Sequence, residues 1–278
     1  MTGTGLDRPL PPVVRPFPVA VPYRTTPAPR PLVGPPLVVD DTWPAARVRR
    51  LERLRDDADG VLVRDPHDRD DAGLMAAVRE ACLLLPEPPR GSGPLALARA
   101  FLLACSDDLV VLRRTGPGRA TAELLAVAFP SGWPPRLRAG ADLPALHAPV
   151  ADGDRLRAAS VALTEALLTK GPYAQHVWGL DPDGRLDRDP SAPDAAAHGC
   201  PPPDRWWLRV ERQTSLPLPH LGRALFLIRP HLVPLTSLAA DRRHLLHDAV
   251  ASMSPAVLAY KGLVEVRDDL LAWLLRVS

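Results

Sequence analysis

The most polar strand-like stretch of the chain is Arg209-Val210-Glu211-Arg212-Gln213-Thr214. Alternation along an extended strand puts Arg209, Glu211 and Gln213 on one face and Val210, Arg212 and Thr214 on the other. A cation and a carboxylate side by side on one face can hold a polar ligand or move a proton. Burying either ion is costly unless it is paired or used. The stretch is therefore either an edge strand solvated on both faces or part of a polar cavity beneath a sheet.

Other candidates are weaker. His147, in Leu146-His147-Ala148-Pro149-Val150, has apolar neighbours on both sides, as suits a hydrogen-bonded core or surface histidine or a ligand to a metal. His244 and His247 lie three apart on a helical stretch with Asp248, and no third ligand is indicated, so they read as a solvated face. Asp181-Pro182-Asp183-Gly184 starts like a calcium loop but lacks its closing acid, and reads as a turn. Phe129-Pro130-Ser131-Gly132-Trp133-Pro134-Pro135 reads as a rigid corner after a strand. There is no Gly-rich phosphate loop, nucleophile elbow or zinc signature.

The elements that must position these residues fit within one sizeable core. The chain has 278 residues, 46% of them apolar and 24% charged, the balance of a globular protein. Its 34 basic and 32 acidic residues nearly cancel, which gives no support to nucleic-acid binding as the main task. No apolar run reaches the roughly eighteen residues of a membrane-spanning helix. Lys170 and Lys261 are the only lysines, asparagine is absent and prolines number 35, which reads as GC-rich bacterial coding bias. Surface arginine is therefore weak evidence of anion recognition here. Cys82, Cys105 and Cys200 are too scattered for a disulfide framework or a four-ligand zinc site, and the start of the chain does not look like a signal peptide. The expected compartment is the cytoplasm.

Residues 1–40 hold eleven prolines and form an extended segment, with Phe17, Val19, Val21 and Tyr23 expected against the core. From residue 41 to 278 a single domain is expected. Helices are predicted over 45–57, with Thr42 as N-cap, and over 71–85, 94–105, 154–169, 241–252, 255–260 and 264–276. Strands are predicted over 109–113, 123–129, 173–180, 205–213 and 223–229, with the first pair forming a hairpin. About five strands with helices before, between and after them make an α+β fold.

Several segments together resemble the alpha subunit of heme-dependent oxidative N-demethylase and its bacterial relatives. They are Phe129-Pro130-Ser131-Gly132-Trp133, Leu146-His147-Ala148-Pro149-Val150, the 209–214 block, Leu225-Phe226-Leu227-Ile228-Arg229 and Tyr260-Lys261-Gly262. The resemblance covers about residues 90–265. It implies a PAS-like fold, an antiparallel sheet of about five strands flanked by helices, holding heme b. It also implies oxidation of a small secondary or N-methylated amine by dioxygen to a primary amine and formaldehyde. The electrons would come from NADPH through FMN and 2Fe-2S partner subunits, since this chain has neither a dinucleotide fingerprint nor cluster cysteines.

By the same resemblance His147 is the axial ligand of the heme iron. Glu211 holds the ammonium or takes its proton, with Gln213 orienting it and Arg209 supplying a cation. Arg212 serves a heme propionate or a structural pair, and Arg229 and Tyr260 are further cofactor-binding candidates. The same residues could instead form a buried charge network that organises the sheet. The chain departs from the family pattern at Gln175-His176-Val177-Trp178, at Pro217, where an arginine is usual, and at Arg138, where a lysine is usual. His176 competes with His147 as a ligand. The alternative to an enzyme is a heme-binding PAS-like sensor or a non-catalytic member, and a third is a relative of the same fold without heme.

Overall fold

A computed structural model describes residues 10–26, 28–148, 151, 153–154, 158–192 and 201–276, and of His147 the backbone only. The chain forms an α+β fold around a seven-stranded antiparallel sheet. The strands are β1 (Arg30–Pro31), β2 (Leu62–Arg64), β3 (Asp108–Gly116), β4 (Arg119–Ala126), β5 (Tyr173–Asp181), β6 (Trp207–Leu218) and β7 (Arg223–Pro234). Their order in the sheet is β1-β5-β6-β7-β3-β4-β2. The expected five strands become seven because two short edge pieces, β1 and β2, pair with β5 and β4. Segments of two and three residues carry no alternation that a sequence pattern could reveal.

The 209–214 stretch is not an edge strand. It lies in β6, paired along its length with β5 and β7. β6 also runs on to Leu218, past the expected end at 213 and through Pro217, which pairs with Ala224. The β5 partner ends opposite Ser215, so Pro217 sits on a locally open edge, where a missing N–H is tolerated.

The two faces of the sheet have different covers. One row of the front face runs through Tyr173, Ser215, Phe226, Val110 and Leu125 on five adjoining strands. This face packs beneath α5 (Leu143–His147) and α6 (Ser160–Thr169), through Leu143, Leu167 and Leu168. On the back, Leu109, Val111, Leu225 and Leu227 pack with α3 (Asp71–Cys82) and α4 (Pro94–Ala104), around Leu74, Val78, Phe101 and Leu102. The far ends of β6 and β7 give Leu208, Val210 and Val233 to a core with α7 (Ala240–Ala251), α8 (Pro255–Tyr260) and α9 (Arg267–Leu274). Two further helices, α1 (Trp43–Asp56) and α2 (Ala58–Val61), precede β2. Among the described residues no helix is long and apolar enough to cross a membrane.

Charge is buried on the back of the sheet. Arg50 of α1, fully buried, lies 2.9 Å from Asp108 Oδ1 and over the Phe129 ring. Asp108 also accepts the backbone N–H groups of Ala128 and Phe129, which fixes the chain as it leaves β4. Beside it Asp107 is 1% exposed and its Oδ2 accepts no hydrogen bond among the described residues.

The proline-rich segment is tied down by named contacts. Val19 is buried in the C-terminal core and Phe17 and Tyr23 pack against it, whereas Val21 is exposed. Farther along, Arg212 donates to the carbonyls of Pro35 and Pro36 at 3.0 Å each. Arg229 donates to the Val38 carbonyl, Asp40 and Thr42. Thr42 occupies the expected cap position of α1 but makes no side-chain cap, because its hydroxyl is turned to Asp40 at 2.6 Å. Helix 154–169 is described from Ser160 onward, and helix 264–276 shortens to Arg267–Leu274.

Candidate functional site

The front face holds a cavity of about 250 Å³, open on one side. Most of its wall is apolar: Val110, Leu112, Leu125, Leu143, Leu146 and Phe226 among others. A polar patch made of Ser131, Gln175, Glu211 and Gln213 interrupts this wall, and Trp133, Tyr173, Arg138 and Tyr260 complete it.

The polar patch is one connected chain of hydrogen bonds. Alternation along β6 carries Arg209, Glu211 and Gln213 to the same face, and the register with β5 sets Gln213 opposite Gln175. Gln175 Nε2 donates to Gln213 Oε1 at 2.8 Å, and Gln213 Nε2 donates to Glu211 Oε2 at 2.9 Å. The other carboxylate oxygen of Glu211 accepts from the Ser131 hydroxyl. Ser131 Oγ in turn accepts from Arg209 Nε at 2.6 Å. Each oxygen of Glu211 thus takes one bond and keeps a lone pair for something in the cavity. Among the described residues no arginine, lysine or histidine forms an ion pair with Glu211.

Arg209 serves a different purpose from Glu211. It is 4% exposed, and Nη2 donates to the Phe129 carbonyl at 2.9 Å while Nη1 donates to the Leu186 carbonyl at 3.0 Å. Asp181 Oδ2 stands 3.6 Å from Nη1, and burial pushes the Asp181 carboxyl upward against the pull of Arg209 and Arg188. Arg209 does not line the cavity. It reaches Glu211 only through Ser131 and positions that hydroxyl.

The corner after β4 brings Ser131 into place. Ser131 bridges to Arg188, the Gly132 N–H donates to the Arg188 carbonyl, and the Arg188 N–H donates to the Pro130 carbonyl. Gly132 turns there at φ +82°, a left-handed conformation that suits glycine. The corner expected from Phe129-Pro130-Ser131-Gly132-Trp133 is therefore part of the cavity wall, supplying Ser131 and Trp133 to its lining.

Short capped helices frame the opening. Asp142 caps α5 by accepting the Ala145 N–H at 3.0 Å, and this helix gives Leu143 and Leu146 to the lining. His147 is the last residue of α5, and its side chain lies outside the described residues. Ser254 caps α8 by accepting the Val257 N–H at 3.2 Å, and Tyr260 ends that helix at the cavity. Burial, with the charge of Glu211 second, raises the Tyr260 phenol, so it stays a protonated donor. Next to it Lys261 Nζ donates to the Trp178 carbonyl at 2.9 Å and lies 5.3 Å from the Tyr23 ring centre. Burial lowers the Lys261 ammonium to about 8 against the opposing charges of Glu211 and Asp181.

Thus Glu211, Gln213 and Tyr260 meet at the cavity, with Arg209 one hydrogen bond behind them. Arg212 and Arg229 face the other side of the sheet, where they hold residues 35–42. His176 is also on β5's back-face register, opposite Arg212, away from the cavity lining. The cavity's own guanidinium is Arg138, which spacing alone did not single out. Ser131 and Gln175 were likewise missed, because a serine in a turn and a glutamine on a strand carry no signal until the fold sets them beside Glu211.

A heme suits this lining in kind. Leucine, valine and aromatic walls match the faces of a macrocycle. The enclosed volume of about 250 Å³ is that of a small ligand, and the cavity is open on one side. A family model described as "Haem-dependent oxidative N-demethylase, alpha subunit-like" matches residues 75–271, a span that contains every residue of the polar chain and the whole cavity border from Ser131 to Tyr260. With more than half of its length matched, the chain belongs to the haem-dependent oxidative N-demethylase alpha-subunit-like family.

Proposed function

We propose that the cavity binds a small N-methylated ammonium ion next to heme b, and that the chain carries out the oxidative N-demethylation step. The observation that carries this reading is Glu211: a carboxylate facing an apolar cavity, oriented by Ser131 and Gln213, with no protein cation paired to it among the described residues. Heme bound here, held through His147, would supply dioxygen activation and the oxidising power for the N-methyl carbon. A secondary amine, dioxygen, an electron pair and two protons then yield a primary amine, formaldehyde and water. NADPH, FMN and a 2Fe-2S cluster on partner subunits are the proposed electron source. The five long strands β3–β7 support the PAS-like reading of the fold.

The chain's own residues do the rest. Alkylamines are protonated near neutral pH, as lysine is. Glu211 neutralises that charge at the free lone pairs of Oε1 and Oε2 and accepts the proton that must leave nitrogen before oxidation. Ser131 and Gln213 hold the carboxylate in one orientation, and Gln175 fixes the Gln213 amide. Trp133, Leu143, Leu146 and Phe226 shield the N-methyl group from water. Tyr260, as a neutral phenol, offers a hydrogen bond at the mouth.

The test has two readings. Heme titration into the full chain should give a Soret band that His147→Ala shifts or abolishes. Dimethylammonium binding by calorimetry should weaken about tenfold or more in Glu211→Gln, which keeps the shape and removes the charge. An absent Soret band in wild type removes both the demethylase and the heme-sensor readings. A Soret band without amine binding favours the sensor.

A further inference from the structure

The cavity presents two opposite charges that do not pair with each other. Glu211 supplies the anion. Arg138 supplies the cation: it lines the same cavity, its Nη1 donates to the Ala145 carbonyl at 3.2 Å, and it forms no ion pair with any described residue. The Tyr260 phenol, also in the lining, lies within electrostatic reach of both, Glu211 raising its pKa and Arg138 lowering it. Around them the wall is mainly leucine, valine and aromatic carbon. A simple dialkylammonium satisfies Glu211 and leaves the guanidinium unused.

We infer that the amine accepted here carries its own carboxylate, so that the substrate class is a zwitterionic N-methyl amino acid. This rests on the amine reading above and narrows it. The ammonium sits on Glu211. The carboxylate sits on Arg138, whose planar fork offers parallel N–H donors, with the Tyr260 hydroxyl as a further donor. Arg138 is then a specificity-determining residue. It caps the C-terminal end of the short 3-10 turn that follows the Trp133 corner, so the same loop that supplies Ser131 to the ammonium end supplies the guanidinium to the other.

The experiment is competitive calorimetry on the full chain with N-methylglycine, dimethylammonium and acetate. Wild type should bind N-methylglycine about tenfold or more tightly than dimethylammonium, the gain of one charge-assisted contact. Arg138→Gln should bring the two ligands to within about threefold of each other, and Arg138→Lys should restore part of the preference. Glu211→Gln should weaken both. Tighter binding of dimethylammonium than of N-methylglycine overturns this inference and leaves the amine reading standing. Binding of neither ligand overturns both. An Arg138→Gln protein that loses its Soret band while keeping the wild-type ligand ratio assigns the guanidinium to a heme propionate, and also overturns the inference.

Discussion

Asp107→Asn tests the balance of charge behind the sheet. Asp107 is 1% exposed, its Oδ2 is unbonded among the described residues, and Arg229 Nη1 stands 3.9 Å away, already committed to the Val38 carbonyl. Burial outweighs the nearby guanidinium groups and pushes the carboxyl from its ordinary 3.8 to about 6. A raised folded pKa means that the native protein binds more protons than the unfolded chain across that window. The stabilising contribution is full below 3.8 and is lost as pH rises through about 6. The distance from 3.8 to about 6 corresponds to about 3 kcal/mol. His231 has the opposite sign. Burial, helped by Arg229, lowers it from 6.5 to about 4, so its contribution is present above 6.5 and is lost as pH falls through about 4. The two nearly cancel over one window, and the wild-type protein hides both.

Asparagine removes only the first. The stability of Asp107→Asn minus that of wild type should therefore climb by about 3 kcal/mol between about pH 4 and about pH 7. Urea unfolding followed by tryptophan fluorescence, at matched pH values, reads that difference directly. A difference flat to within about 1 kcal/mol would mean that Asp107 is solvated or paired well enough to stay ionised, since such a carboxylate contributes no slope.

Three further outcomes are expected. Ser131→Ala strands Arg209 Nε in a buried setting and should cost about 1–3 kcal/mol in urea unfolding, with weaker amine binding; unchanged values in both would remove Ser131 from the network. Asp108→Ala leaves Arg50 fully buried and unpaired, and frees two backbone N–H groups, so a loss of roughly 3–5 kcal/mol is expected by the same assay. Lys261 should titrate near pH 8 when its side chain is followed by NMR after reductive methylation, a clean readout in a chain with two lysines; a midpoint above about 10 would count against its burial beside Trp178.

The long strands were legible because their alternation is strong, and alternation alone predicted that Arg209, Glu211 and Gln213 share a face. The two edge strands were not, being too short to show a period. The extension of β6 beyond residue 213 was not legible either, since proline usually ends a strand, whereas Pro217 lies where β6 has lost its β5 neighbour. The partners of Glu211 were beyond reach for a different reason. Ser131 and Gln175 come from distant parts of the chain, and only the pairing register sets them against β6. The separation of Arg212 from Glu211 onto opposite faces was visible in the pattern, but the carbonyls of Pro35 and Pro36 that Arg212 holds were not.

The hydrogen bonds that assemble the site span unusual lengths of chain. Ser131 is 78 residues from Arg209 and 80 from Glu211, and the clamp behind the same strand joins residues 176 and 177 apart. Contacts of such separation must close long loops of chain, an entropic cost that local contacts do not carry. No hairpin or helix pair cut from this protein would contain the network. Ligand binding at Glu211 therefore measures the population of the whole folded chain, and a destabilising substitution far from the cavity will show up as lost occupancy before it shows up as changed chemistry.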